Sequence, residues 1–306
     1  MPRRKRRRKF CPKKEFVSGI RQLFNGLLTF GVLALVGYVG FLFFPFGDPL
    51  PPVAQDEVWV HFIDVGQGDS ILIHSQNHAV LIDGGPPAAR HQVQQFLEAR
   101  GVSRLDAIVA THPHEDHIGG LPHIIERFPT SAVWMPDATH TTNAFERWLD
   151  AIDAAGLGIT TARTGDVLRA GPIALTVLAP AHTGHSNLND YSLVLHKQYG
   201  NIAFLFTGDA EVRTESEILA AGLALSADVL QVGHHGSRTS TSEAFLDAVA
   251  PQVAVVSVGA GNRFGHPHPL VTDRLEARGT PIYRTDERGS ISFVTDGTGF
   301  SVSFGG

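Results

Sequence analysis

The chain has 306 residues, 43% of them hydrophobic and 18% charged, which suffices for one large α/β domain plus an appendage. Its single cysteine, Cys11, excludes a disulfide within the chain and any thiolate ligand in the main domain. The net charge of −5 conceals a split: residues 1–21 carry ten Lys/Arg against one Glu, whereas the rest carries 15 Lys/Arg against 29 Asp/Glu, which argues against a broad cationic surface for nucleic acid.

The N-terminus comes first. After the basic run, no charge occurs between Arg21 and Asp48, and Leu23 to Phe46 is a Leu/Val/Phe/Gly-rich stretch. A helix needs roughly 20 apolar residues to cross a bilayer. This predicts a basic cytoplasmic tail (1–21), a transmembrane helix (22–47) touching membrane lipid, a stiff Pro-rich linker (48–56) and a main domain (57–306). By the positive-inside rule the tail stays inside, so the chain is a single-pass protein of the cytoplasmic membrane with its main domain extracytoplasmic. A cleaved signal peptide is the rival reading, but its apolar region is usually only about 7–15 residues.

The main domain opens with three predicted strands, at 58–65, 70–74 and 79–83, with Gly66-Gln67-Gly68-Asp69 as a tight turn. A helix over 88–100 and a buried strand over 105–110 follow. Next comes Thr111-His112-Pro113-His114-Glu115-Asp116-His117-Ile118-Gly119-Gly120, with a helix expected from His117 to Arg127. Further on we predict strands at 133–135, 173–178, 192–196, 202–206, 229–232, 253–257, 282–283 and 290–294. Helices are expected at 143–155, 212–221, 242–250 and 270–278. The pattern is mixed α/β, with meanders at both ends and αβ units between.

Imidazole and carboxylate together suit Zn²⁺, Mn²⁺ or Fe. His112 and His114 are two apart, so in extended chain they point the same way, while adjacent Asp116 and His117 diverge and can serve a second metal. Polar clusters recur at strand ends: Asp83, His112–His117, Asp209 and His234-His235. Strand ends on one edge of an α/β fold converge in space. Asp209 can bridge two metals, His234 or His235 adds an imidazole, and His182 or His185 is the candidate for a further ligand. The remaining histidines, among them His61, His74 and His78, read as ordinary surface or core residues.

The segments Asp64-Val65-Gly66-Gln67-Gly68-Asp69, Leu81–Gly85, Thr111–Gly120, Asn189–Leu195, Thr207-Gly208-Asp209, His234-His235-Gly236-Ser237 and Asn262–Pro267 carry a resemblance. The sequence resembles the metallo-β-lactamase fold and, more narrowly, the hydrolase domain of the ComEC competence-protein family, over about residues 57–295. The resemblance implies a four-layer αββα sandwich with two divalent metal ions, Zn or Mn. His112, His114 and His182 or His185 would hold one; Asp116, His117 and His234 the other; Asp209 would lie between. Asp83 matches an orienting, non-ligand aspartate; Asp64 and Asp69 read either as turn formers or, the favoured reading, as groups behind the ligands. His235 and His266 are candidates for substrate contact or proton donation, with Asp116 beside the reacting group. Ser237, Arg238, Asn262 and Arg263 are candidates for substrate binding.

ComEC proteins carry a channel of many membrane helices; here one helix stands in its place, so DNA uptake by this chain alone is not expected. A separate channel or envelope protein is therefore a candidate partner. The expected activity is hydrolysis of a phosphodiester, DNA among the candidates, by metal-activated hydroxide. The alternatives are another ester (an envelope phosphodiester, lactone, thioester or β-lactam) and a non-catalytic, metal-stabilised envelope scaffold.

Overall fold

The computed structural model describes residues 57–305; the expected tail, membrane helix and linker lie outside them. Among the described residues no helix is long and apolar enough to cross a membrane. The first half runs β1 (Val58–Phe62), β2 (Ile71–Ser75), β3 (His78–Ile82), α1 (Arg90–Ala99), β4 (Ala107–Val109), α2 (Glu115–Ile118), α3 (Leu121–Arg127), β5 (Val133–Met135), α4 (Asn143–Ala154) and β6 (Ile159–Thr161). The second half runs β7 (Val167–Ala170), β8 (Ile173–Ala179), β9 (Val194–Tyr199), β10 (Ile202–Phe206), α5 (Val212–Ala220), β11 (Val229–Gln231), α6 (Glu243–Val249), β12 (Val253–Val256), α7 (Pro269–Glu276), β13 (Ile282–Arg284), α8 (Thr285–Arg288), β14 (Ile291–Thr295) and β15 (Phe300–Phe304).

These strands form an eight-stranded sheet, ordered β15-β14-β1-β2-β3-β4-β5-β6, and a seven-stranded sheet, ordered β13-β12-β11-β10-β9-β8-β7. Strand alternation sends Val58, Val60 and Phe62 of β1 inward, to pack against Phe204 and Phe206 of β10 and Phe293 of β14 between the sheets. On the outer face of the first sheet, Leu72, Leu81 and Ile108 pack on Val93, Leu97, Ile124 and Trp148 from the helices. On the outer face of the second, Leu205, Leu230 and Ala254 pack on Ile218, Phe245, Leu246 and Leu275. The four layers are thus helices, sheet, sheet, helices, as expected; burying each such side chain contributes about 1.5–3 kcal/mol.

Two features position the site. β3, β4 and β5 are parallel, as are β10, β11 and β12, so their C-terminal ends lie on shared edges. The single helix expected from His117 to Arg127 is instead two short ones, α2 and α3. Gly119-Gly120 separates them, and a Cβ on Gly120 would stand 2.1 Å from the Gly84 oxygen, so only glycine fits there. Gly120 N donates to Gly85 O at 2.9 Å, which ties the metal-loop segment to the turn after β3. Strands β6, β7 and β15 and helix α8 were not expected; β6 is exposed along its whole length and so shows no apolar run.

Candidate metal centre

Asp83 follows β3, Thr111 to His117 follows β4, Asp209 follows β10, His234 and His235 follow β11, and Ser257 follows β12. The Asp209 carboxylate, 2% exposed, lies at the centre. Its Oδ2 faces His112 Nε2 at 3.6 Å and His234 Nε2 at 3.7 Å. Its Oδ1 faces His117 Nε2 at 3.2 Å and His235 Nε2 at 3.5 Å, and His235 Nε2 also lies 3.5 Å from Asp116 Oδ2. His114 joins the first group through its Nδ1, 2.9 Å from His112 Nε2. The donors therefore fall into two sets that share Asp209.

The other nitrogen of each ring faces an acceptor. His117 Nδ1 donates to Asp83 Oδ2 at 2.8 Å. His235 Nδ1 donates to Ser257 O at 2.9 Å, and His234 Nδ1 to Glu211 Oε1 at 3.1 Å. Thr111 Oγ1 donates to Asp83 Oδ2 at 2.7 Å, which leaves its oxygen to accept from His112 Nδ1 at 3.1 Å. When neutral, each imidazole is thereby held with its proton on Nδ1, and all four Nε2 atoms face one carboxylate.

A lone pair facing a carboxylate is repelled unless a cation stands between them. Asp69 Oδ1, His117 Nε2, Asp209 Oδ1 and His235 Nε2 are buried without a hydrogen-bond partner. They belong to clusters in which the ligand atoms all lie within 4.8 Å of one another. The donor set fits two divalent cations, with nitrogen and oxygen ligands only. Without a cation, protons on the rings take its place. Burial opposes charge on His235, but Asp209 and Asp69 prevail and push it up to about 9. Burial likewise opposes charge on His117, yet Asp209 and Asp83 hold it well above its ordinary value. Burial raises Asp69 to about 6 against the pull of His235 and His117. Asp116 resists burial through its contact with His235 and the charge of His117, and stays below the usual carboxylate range. Buried carboxylates in this pocket demand positive charge.

Several expected residues are placed differently. His182 is exposed and lines a cleft of about 460 Å³ with Asp137, Arg163 and Tyr191, apart from the ligand clusters. His185 is buried against the Tyr191 ring at 5.0 Å, also apart from them. On the His112 side of Asp209 the structure brings His234 instead, with Nε2 3.7 Å from Oδ2. His235 takes the place expected for His234, beside Asp116 and His117, and at 2% exposure it is no substrate-facing wall. The two histidines can do this because both have left-handed backbone, φ 49° and 54°, which breaks the in–out alternation of a strand.

Asp83 holds the His117 ring from behind, and Asp69 faces His235 Nδ1 at 3.6 Å while accepting from Gln231 Nε2 at 2.6 Å. Asp64 is instead a turn former on a neighbouring surface: its Oδ1 accepts from Gly66 N at 3.1 Å. Ser237 is turned inward, with Oγ 3.0 Å from Thr239 Oγ1. Asn262 spends its amide on its own loop, accepting from Phe264 N and His266 N and donating to Gly259 O and His266 O. Arg238 and Arg263 are exposed. His266 lies at the rim, its ring 5.5 Å from that of His234, and burial lowers it to about 4. Three supporting residues escaped the sequence reading: Glu211, Gln231 and Asn189. Asn189 Nδ2 donates to Glu211 Oε1 at 3.1 Å, and its buried Oδ1 lacks a partner. The only sequence signal for Glu211 is its position two residues after Asp209.

Residues 63–260 match the family described as the metallo-beta-lactamase superfamily. The chain belongs to that superfamily. It is similar to ComE operon protein 3 of Bacillus subtilis (strain 168), 32% identical over 291 residues, covering 89% of this chain and 36% of that protein. It is also 32% identical over 276 residues to competence protein ComA of Neisseria gonorrhoeae, covering 88% of this chain and 36% of that protein. The chain thus spans about a third of the length of these curated relatives. Among solved structures, the metallo-beta-lactamase fold protein YhfI from Bacillus subtilis superposes with a TM-score of 0.53 at 14% identity, covering 78% of this chain and 100% of that one. That likeness speaks for the fold alone. The superfamily fold implies divalent metal ions, typically two, and the described residues include groups able to hold a metal, among them His112, His117 and Asp209, and Asp116, His117 and His235.

Proposed function

We propose that this metallo-β-lactamase-fold chain is a two-metal phosphodiesterase acting on nucleic acid, tethered outside the cytoplasmic membrane by the helix expected at 22–47. The observation that carries the reading is the division of donors around the two oxygens of Asp209: His112 and His234 face one, with His114 beside His112, and His117 and His235 face the other, with Asp116 beside His235. Two divalent cations bound there would supply Lewis acidity and neutralise charge on a phosphoryl group. The chain's own residues do the rest. Asp83, Thr111, Glu211 and the Ser257 carbonyl fix the rings, so that no reorientation is needed when substrate arrives. His266, at the rim beside His234, offers a ring N–H to a substrate oxygen. Arg238 and Arg263 offer exposed guanidinium groups to flanking phosphates. Similarity to competence proteins supports nucleic acid as substrate and a separate channel or envelope protein as partner.

A second reading has its own observation. The only lysine described, Lys197, is 1% exposed, and acidic residues outnumber basic ones, so a small neutral ester would meet less repulsion than DNA. The test is a substrate panel. The purified full chain, loaded with Mn²⁺ or Zn²⁺, is assayed on single-stranded DNA, aryl phosphodiesters and lactones. The proposal expects phosphodiester cleavage; activity on lactones alone would refute it. For the tether, protease added to cells stripped of any outer barrier should digest the domain, and complete protection would refute the outward orientation.

A further inference from the structure

One segment near the metal centre has no part in holding ligands. It is the loop from Gly261 to His268, between β12 and α7. Phe264, on this loop, is 54% exposed, the most exposed large apolar residue among those described. Exposing a phenyl ring to water is unfavourable, and here the loop is built to keep it so. Asn262 acts as a hub: its Oδ1 accepts from Phe264 N at 3.1 Å and His266 N at 3.0 Å, and its Nδ2 donates to Gly259 O at 3.0 Å.

The ring is also in line with the site. The Arg263 guanidinium carbon lies 5.1 Å from the Phe264 centroid. The Phe264 and His266 rings stack at 5.8 Å with an interplanar angle of 28°. His266 meets His234 at 5.5 Å, and His234 Nε2 lies 3.7 Å from Asp209. A continuous row of flat groups therefore leads from solvent to the bridging carboxylate, with its outer end open.

We propose that Phe264, with the Arg263 guanidinium, is a stacking platform for a nucleobase beside the scissile phosphate, and that the substrate is single-stranded nucleic acid. This inference rests on the phosphodiesterase reading and narrows it. Aromatic rings and guanidinium planes bind bases of any sequence, because every base has a π-face. In a duplex both faces of a base are already stacked, so a single exposed ring selects unpaired strands. Stacking is also insensitive to charge, which suits a domain whose acidic residues outnumber its basic ones. It supplies affinity in a domain whose one described lysine, Lys197, is buried.

The test separates stacking from electrostatics. The metal-loaded full chain is given oligothymidylate and an abasic strand of equal length, which has the same phosphates and no bases. Wild type should cleave oligothymidylate with about ten-fold higher kcat/KM, a fold-change within the usual range for one stacked base. Phe264→Leu should collapse that ratio toward one, whereas Phe264→Trp should preserve it. Fluorescence anisotropy with phosphorothioate oligothymidylate should show the same order of affinities. If Phe264→Leu lowers both substrates equally, or leaves the ratio intact, the inference is overturned while the phosphodiesterase reading survives. An enzyme that cuts neither strand overturns both.

Discussion

Replacing Asp83 by Asn is the sharpest probe of how the rings are held. Asp83 accepts three hydrogen bonds: from Thr111 N at 2.8 Å, Thr111 Oγ1 at 2.7 Å and His117 Nδ1 at 2.8 Å. An amide has one oxygen where the carboxylate has two. In its better orientation it keeps the His117 and Thr111 hydroxyl contacts and turns its NH₂ toward the Thr111 N–H. One buried donor is then orphaned, at a cost of about 1–3 kcal/mol in stability. The lost charge also makes His117 a weaker donor. Supporting residues of this kind are typically worth 10–100-fold in metal affinity. At about 1.4 kcal/mol per ten-fold, that is about 1.4–2.8 kcal/mol. Competition with a coloured chelator measures it directly, and a matched Asp64→Asn variant should stay within about two-fold of wild type, because Asp64 caps a turn. Unchanged metal affinity in Asp83→Asn, or an equal loss in Asp64→Asn, would refute this account of the second layer.

Two further predictions use the same protein. His235→Ala should lower metal content and abolish activity, while His182→Ala should leave metal content unchanged, as measured by elemental analysis; a metal deficit in the latter would return His182 to the ligand set. The other prediction concerns acid. His61 and His74 form a buried pair under α1, with Nε2 atoms 2.8 Å apart, and burial lowers His74 to about 4 and His61 well below its usual value. Both pKa values are depressed on folding, so the unfolded chain binds the extra protons. Stability should therefore fall as pH drops from about 6.5 to about 4, by about 3 kcal/mol for His74 alone at 1.36 kcal/mol per unit. Urea unfolding of metal-free protein at pH 7 and pH 4.5 would register the fall, and His74→Gln should remove that share; an equal fall in the variant would refute it.

Much of the fold was readable because its signals are local. Apolar runs such as Ala203–Phe206 and Val229–Leu230 mark strands, and the strand ends carry the polar clusters. Most of the site was readable for the same reason: His112, His114, Asp116 and His117 lie within six residues, and Asp209 follows a strand directly. Two things were not. The residues alone left open whether His234 or His235 joins the site, because the pair sits in left-handed backbone that sequence periodicity does not reveal, and both ring Nε2 atoms face Asp209. The ligand expected near His182–His185 was sought in sequence between 120 and 209, whereas His234 occupies that side of Asp209 from a different strand end. Long-range supports such as Gln231, whose amide donates to Asp69 in the turn between β1 and β2 and accepts from Thr207 N just after β10, depend on pairing that periodicity does not encode. Strand β6 is exposed along its whole length and so lacks the apolar face that marks a strand in sequence, whereas β15 (Phe300–Phe304) does alternate apolar and polar residues, with Phe300 and Val302 against the core, and its signal went unread.

The central claim is that one carboxylate divides the donors into two sets. A crystal structure of the Mn²⁺- or Zn²⁺-loaded protein, with anomalous scattering at the metal edge, tests it most directly. The account predicts two anomalous peaks flanking Asp209, one against His112 and His234 on the Oδ2 side, the other against Asp116, His117 and His235 on the Oδ1 side. A single peak, or a metal held by His182 with His235 left outside its coordination, would contradict it.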